Sequence, residues 1–117
     1  MSTLPSQLRY LREQRQLELS YENDKTYLLS AEFLRVNSPS AEVRGHGEGQ
    51  AVLQVGKEQV EIRQIEPVGN YGVKIIFSDG HQTGIYSWEY LRELGEQRDT
   101  LWAEYLAELA RRGISRA

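Results

Sequence analysis

The stretch Phe77-Ser78-Asp79-Gly80-His81-Gln82-Thr83-Gly84-Ile85-Tyr86-Ser87-Trp88-Glu89-Tyr90-Leu91-Arg92-Glu93-Leu94 decides the reading of this chain. Asp79-Gly80 suits a two-residue hairpin loop, because both central residues of such a turn need positive φ, which Gly adopts freely and Asp tolerates. Upstream, Tyr71, Val73, Ile75 and Phe77 alternate with Gly72, Lys74, Ile76 and Ser78, the period of a strand with one buried face. Downstream, a short second strand leads to Ser87, whose hydroxyl can accept from the free N–H groups of a helix start. Trp88, Leu91 and Leu94 share one face of that helix, and Gly95 is expected to end it.

The same unit occurs earlier. Ser30-Ala31-Glu32-Phe33-Leu34-Arg35 matches Ser87-Trp88-Glu89-Tyr90-Leu91-Arg92 in register. Asn23-Asp24 takes the place of the Asp-Gly turn, and Thr26 matches Thr83. Two copies are too few for a solenoid. They imply one pseudo-symmetric α+β domain.

Around these units the chain divides simply. Leu8 to Leu11 reads as a short strand, and Leu17, Leu19 and Tyr21 alternate with Glu18, Ser20 and Glu22 as a half-buried one. Residues 25–29 return from the turn, and Phe33, Leu34 and Val36 face inward from the first helix. Residues 37–49 lose all periodicity: Ser38-Pro39-Ser40 favours extended or turn backbone, and Gly45, Gly47 and Gly49 relax the rest. Residues 52–55 read as a strand; Val60, Ile62 and Ile65 mark another, with a turn at residues 66–70. Residues 99–112 form a last helix, with Asp99 at its start, Arg111 and Arg112 at its end, and a stripe of Leu101, Trp102, Tyr105, Leu106 and Leu109. That stripe docks on its own sheet in this reading; a partner-binding face is the alternative.

Composition limits what such a domain can do. The 117 residues suit one domain, and 39% hydrophobic content supports one modest core. Fourteen basic and 17 acidic residues give a net charge of −3 without a basic run, so neither nucleic acid nor a membrane surface is indicated. The absence of Cys excludes disulfides, thiolate metal sites and thiol catalysis. With no apolar run of membrane-spanning length and no signal-peptide core, the cytoplasm is the expected location.

The candidate chemistry centres on two histidines. His46-Gly47-Glu48 with His81 formally matches the His-x-Asp/Glu…His triad of non-haem iron sites. Against it, His46 and Glu48 lie in a glycine-rich loop, a poor frame for ligand geometry, and two polar loop residues are the simpler account. Gly45, Gly47 and Gly49 lack the Gly-Lys-Ser/Thr ending of a phosphate loop. No Ser-His-Asp order with supporting context is visible. Tyr71, Tyr86, Trp88 and Tyr90 are read as packing.

Residues 34–47 (Leu-Arg-Val-Asn-Ser-Pro-Ser-Ala-Glu-Val-Arg-Gly-His-Gly), Val68-Gly69-Asn70-Tyr71 and the span from Asp79 to Trp88 resemble the bacterial DUF971 proteins, which are similar to the N-terminal domain of gamma-butyrobetaine hydroxylase. The resemblance covers residues 8–95 and leaves residues 96–117 as a C-terminal helix and tail. It implies a small α+β domain rich in antiparallel strands. In the hydroxylases that domain precedes a catalytic one using iron and 2-oxoglutarate, to which the resemblance does not extend. Related domains are attached to ATPases of iron–sulfur cluster assembly, which implies an accessory role. The hydroxylase domain holds a structural zinc through three cysteines and a histidine. The matching positions here are Ser38, Ser40, Val43 and His81, and Ser and Val do not replace thiolates.

The expectation is therefore a monomeric, non-catalytic binding or adapter domain with a protein partner and no cofactor. Its surface is assigned to Ser38, Ser40, Arg44, His46 and His81: hydroxyls that donate and accept, an arginine for an anion, and imidazoles that titrate near neutrality. The alternative is a zinc- or iron-binding protein using His46 and His81.

Overall fold

Ser30 and Ser87 each close a strand and open a helix, and around them the chain repeats itself in space. β1 (Gln7–Leu11), β2 (Gln16–Ser20) and β3 (Thr26–Ser30) form one antiparallel sheet in that order and run into α1 (Ala31–Val36). A short α2 (Ala41–Arg44) follows. β4 (Ile62–Val68), β5 (Gly72–Phe77) and β6 (Ile85–Ser87) form the second sheet and run into α3 (Trp88–Glu96), followed by α4 (Arg98–Arg111). The computed structural model describes residues 4–22, 24–44 and 52–115. The architecture is the α+β arrangement of antiparallel strands, short helices and a C-terminal helix implied by the sequence.

The repetition reaches individual hydrogen bonds. Ser30 and Ser87 share an extended backbone, φ −68° with ψ 154° and 158°, and their hydroxyls accept from Phe33 N and Tyr90 N at 3.0 Å. Ahead of them, Tyr21 N donates to Lys25 O and Asp24 N to Tyr21 O, as Phe77 N donates to His81 O and Gly80 N to Phe77 O. Asp24 and Gly80 take positive φ in these loops, at 65° and 91°. Each helix entry is tied to the start of the middle strand, Ala31 N to Arg15 O and Trp88 N to Tyr71 O.

One core joins the halves. Leu17, Leu19, Leu29, Phe33 and Leu34 of the first pack with Ile62, Ile75, Phe77, Tyr86, Leu91 and Leu94 of the second, all essentially inaccessible. Burying each such side chain contributes about 1.5–3 kcal/mol. Two glycines let the halves close. A Cβ on Gly95 would lie 2.7 Å from Tyr27 Cγ, and one on Gly84 would collide with Ser38 Oγ. Ser38 and Gly95 are 57 positions apart, as are Tyr27 and Gly84 and the two capping serines. The same contact is thus made twice, with the glycine on opposite sides.

Several local expectations change. The Asp79-Gly80 turn is not a two-residue hairpin: the bonds of Phe77 enclose residues 78–80, and Gly80 alone takes positive φ. This is the three-residue loop with a left-handed last position. Asp79 is used through its carboxylate instead. β5 and β6 pair only between residues 72–74 and 85–87. Residues 52–55 form no strand; their backbone is engaged elsewhere, Val52 N to Val43 O and Gln54 O to the Tyr105 hydroxyl. Glu66, Pro67 and Val68 stay in β4, an edge strand that tolerates proline. The turn there narrows to Gly69-Asn70, and Tyr71 is exposed. Gly95 lies inside α3, which runs to Glu96, because it is needed for close approach rather than termination. Within the span read as aperiodic, residues 41–44 form α2.

α4 packs on the domain. The Trp102 ring meets Phe33 edge-on at 6.3 Å, the Tyr105 hydroxyl donates to Gln54 O at 2.7 Å, and Leu109 is buried. Leu106 departs from the expected stripe and is 38% exposed. Among the described residues no helix is long and apolar enough to cross a membrane.

Candidate functional site

The connection between α1 and α2 folds back on the loop after β5. Pro39 bars helix at the residue before it. Ser40 then restarts one: its hydroxyl accepts from Glu42 N at 3.2 Å and its carbonyl from Val43 N and Arg44 N. The result places Ser38, at 0% exposure, against His81, with Oγ 2.8 Å from Nε2. Ser38 Oγ also accepts from Ser40 N at 3.2 Å. Ser40 Oγ meets Thr83 Oγ1 at 2.7 Å, and Thr83 donates to Glu42 Oε1 at 3.3 Å. On the other side of the imidazole, Nδ1 is 3.6 Å from Glu42 Oε2.

Beneath this lies a charged layer. Arg35 is buried and donates through Nε to Asp79 Oδ2 at 2.8 Å. Lys57 Nζ donates to the same oxygen at 2.7 Å, while Asp79 Oδ1 accepts from His81 N. Burial works to raise the Asp79 pKa, but Lys57, the His81 amide and Arg35 together hold it at about 2. Burial, then Arg35, pushes His81 below its ordinary value, with Glu42 and Asp79 opposing. Arg35 Nη1 is buried without a hydrogen-bond partner among the described residues. Two tyrosine hydroxyls close the end of α1: Tyr86 donates to Leu34 O at 2.5 Å and Tyr90 to Asn37 O at 2.6 Å.

Three of the residues singled out from sequence are therefore brought together: Ser38, Ser40 and His81. Arg44 is engaged by Tyr90: its guanidinium donates to the Tyr90 hydroxyl and sits over that ring at 5.5 Å. His46 lies outside the described residues. The sequence reading missed Arg35, Glu42, Lys57, Asp79 and Thr83. The repeated Glu-aromatic-Leu-Arg pattern drew attention to Arg35 as part of a motif, but no periodicity predicts that an arginine at that position turns inward to meet a carboxylate.

Hydroxyl, imidazole and carboxylate stand in the order of a nucleophilic relay, Ser38, His81, Glu42. The geometry gives a different result. A usable nucleophile needs space for a carbonyl at about 3 Å, whereas Ser38 Oγ is fully buried, packed over Gly84 and bonded by Ser40 N. Nor do the residues present fit the zinc of the resembling domain. Ser38 Oγ already bonds His81 Nε2, Val43 offers no donor, and Lys57 and Arg35 are the cations at the nearby carboxylate. Among the described residues no group of three His, Asp or Glu side chains is placed to hold a metal.

The fold and this cluster define a class: a pseudo-symmetric α+β domain whose two halves are clasped by a buried serine–histidine bond. The chain belongs to the gamma-butyrobetaine hydroxylase-like, N-terminal family, whose model matches residues 8–92. A protein solved in solution by NMR is 50% identical, with TM-score 0.84 over 97% of this chain and 89% of that one. A second NMR structure is 49% identical, with TM-score 0.80 over 96% and 83%. A crystal structure from Acidithiobacillus ferrooxidans, described as a protein of unknown function in the DUF971 family, is 40% identical, with TM-score 0.67 over 80% and 93%. No curated protein matches the chain.

Proposed function

We propose that this protein is a non-catalytic binding domain, a cytoplasmic monomer that acts as an adapter for an oxygenase or iron–sulfur protein. Its contact surface is the segment of residues 37–44 with the adjoining turn at His81. One observation carries the reading: the Ser38–His81 bond is buried while Ala41, Glu42 and Arg44, just beyond it, are exposed. The polar groups at the centre are spent on holding the segment, and a rigidly held exposed segment is suited to recognition. The family supports the setting, since its name ties the domain to a hydroxylase.

The test is affinity purification with the wild-type chain and with Ala41→Glu, a change at an exposed position outside the Ser38–His81–Glu42 cluster. A specific partner should be retained by the first and lost with the second, with melting temperatures equal. Identical captured proteins would remove this surface from consideration. Stoichiometric iron or zinc in protein purified without added metal would replace the adapter reading with metal binding.

A further inference from the structure

A different surface carries a second recognition element. The bonds Tyr21 N to Lys25 O and Ala31 N to Arg15 O fix the phase of the β2–β3 ladder. In an antiparallel pair, bonded and non-bonded positions alternate. Leu19 with Tyr27 and Leu17 with Leu29 are therefore the bonded pairs; Thr26 and Leu28 turn their N–H and C=O groups away from β2, and Ser30 its N–H, its carbonyl serving the first turn of α1. β3 is an edge strand, and such a row is a template for another strand.

What meets that edge is a side chain. Arg98, the first residue of α4, reaches across and donates through Nη1 to Leu28 O at 2.9 Å. Grooves open on either side of it. One of about 490 Å³ is lined by Leu28, Ser30, Phe33, Glu58 and Trp102; the other, of about 270 Å³, is lined by Thr26, Tyr27 and Thr100. Charge in the larger groove is not balanced. Arg15 is held by Gln59 and Glu61, and Arg98 by Asp99, whereas Glu58 has no ion-pair partner among the described residues.

We infer that the outer edge of β3 takes an extended segment of another protein as a fourth strand of the first sheet. The segment pairs its backbone with Thr26, Leu28 and Ser30 in place of Arg98. It lays an apolar side chain towards Phe33 and Trp102, and a Lys or Arg towards Glu58. Main-chain pairing supplies affinity in this mode, and pockets for alternate side chains supply selectivity. This site is separate from the surface of residues 37–44, so either can fail without the other.

The experiment is selection of a random nonapeptide library on the full chain, followed by amide NMR of the complex. Selected peptides should alternate apolar residues, include a Lys or Arg, and protect the Thr26, Leu28 and Ser30 amides from exchange. Leu28→Pro removes an outward N–H and no bond to β2, and should weaken binding at least tenfold, as should Glu58→Lys. Arg98→Ala frees the Leu28 carbonyl and should strengthen binding about fivefold. Should Leu28→Pro fail to fold, peptides N-methylated at alternate residues replace it and should bind at least tenfold more weakly to the wild type. No selected peptide, peptides perturbing other residues, or undiminished binding after N-methylation would overturn the inference. Concentration-dependent doubling of mass, abolished by Leu28→Pro, would also overturn it and give the edge to a second copy of this chain.

Discussion

Ser38 Oγ lies 2.8 Å from His81 Nε2, both residues buried and 43 positions apart in the chain. The bond ties the segment after the first helix to the loop after the fifth strand. Ser40 and Thr83 repeat the link one step along, at 2.7 Å. A hydroxyl–imidazole bond thus stands where the resemblance implies a metal, and the clasp should respond to pH and to substitution accordingly.

Acidification should weaken it. His81 titrates below 6.5 in the folded protein, chiefly through burial and Arg35. The unfolded chain then binds the proton more readily, so the full contribution is present above 6.5 and is lost as pH falls through the lowered folded value. Urea midpoints measured from pH 7 to pH 5 should fall for the wild type and change less for His81→Gln. Equal losses in both proteins would assign the effect to other groups.

Asp79 should matter in a lower window. Its carboxyl titrates at about 2 in the folded state against an ordinary 3.8, so its contribution is present above that ordinary value and disappears as pH falls from 4 towards 2. Asp79→Asn leaves buried Arg35 without its anion. With a quarter of the Asp79 side chain exposed, the expected cost at pH 7 is about 2 kcal/mol, below that of a fully buried pair. Chemical denaturation of the variant at pH 7 measures it directly.

The two helix starts should contribute alike. Ser30→Ala and Ser87→Ala each remove a 3.0 Å bond to the third helical N–H, and each should cost about 1 kcal/mol. Denaturant midpoints unchanged in both would contradict the capping role.

A metal should be able to replace the clasp. Ser38→Cys, Ser40→Cys and Val43→Cys together would surround His81 with thiolates from the segment that already touches it, and zinc–sulfur distances of about 2.3 Å would close a tetrahedron. Zinc should then raise the melting temperature, because the unfolded chain presents no assembled site. Adding His81→Ala should weaken zinc binding sharply; equal affinity would place the metal elsewhere.

α4 should stabilise the domain it caps. Trp102→Ala removes the ring facing Phe33 and, being only half-buried, should cost about 2 kcal/mol, less than a core aromatic. Leu106→Ser at the exposed face should stay within about 0.5 kcal/mol. A chain ending at residue 97 should melt lower than the full one. An unchanged melting temperature would make α4 an appendage.

Local chemistry was legible along the chain. The alternation of Leu17 and Leu19 and of Val73, Ile75 and Phe77 marked strands whose inward residues are buried. Ser30 and Ser87 announced helices because a capping hydroxyl acts within three residues of itself. The repeat was visible since equal local solutions use similar residues. The resemblance also placed Ser38 and Ser40 beside His81, which no spacing could have done. Tertiary structure alone decided the rest. Asp79 reads as a turn former until Arg35 and Lys57 arrive from 44 and 22 positions away. Gly95 reads as a helix end until Tyr27 fills the space where its Cβ would be. Leu106 fits an apolar stripe, yet the helix turns Trp102 and Tyr105 inward and leaves Leu106 at the surface. A sequence records what each residue can do with its neighbours in the chain, whereas burial and charge pairing depend on distances set only when the two halves close.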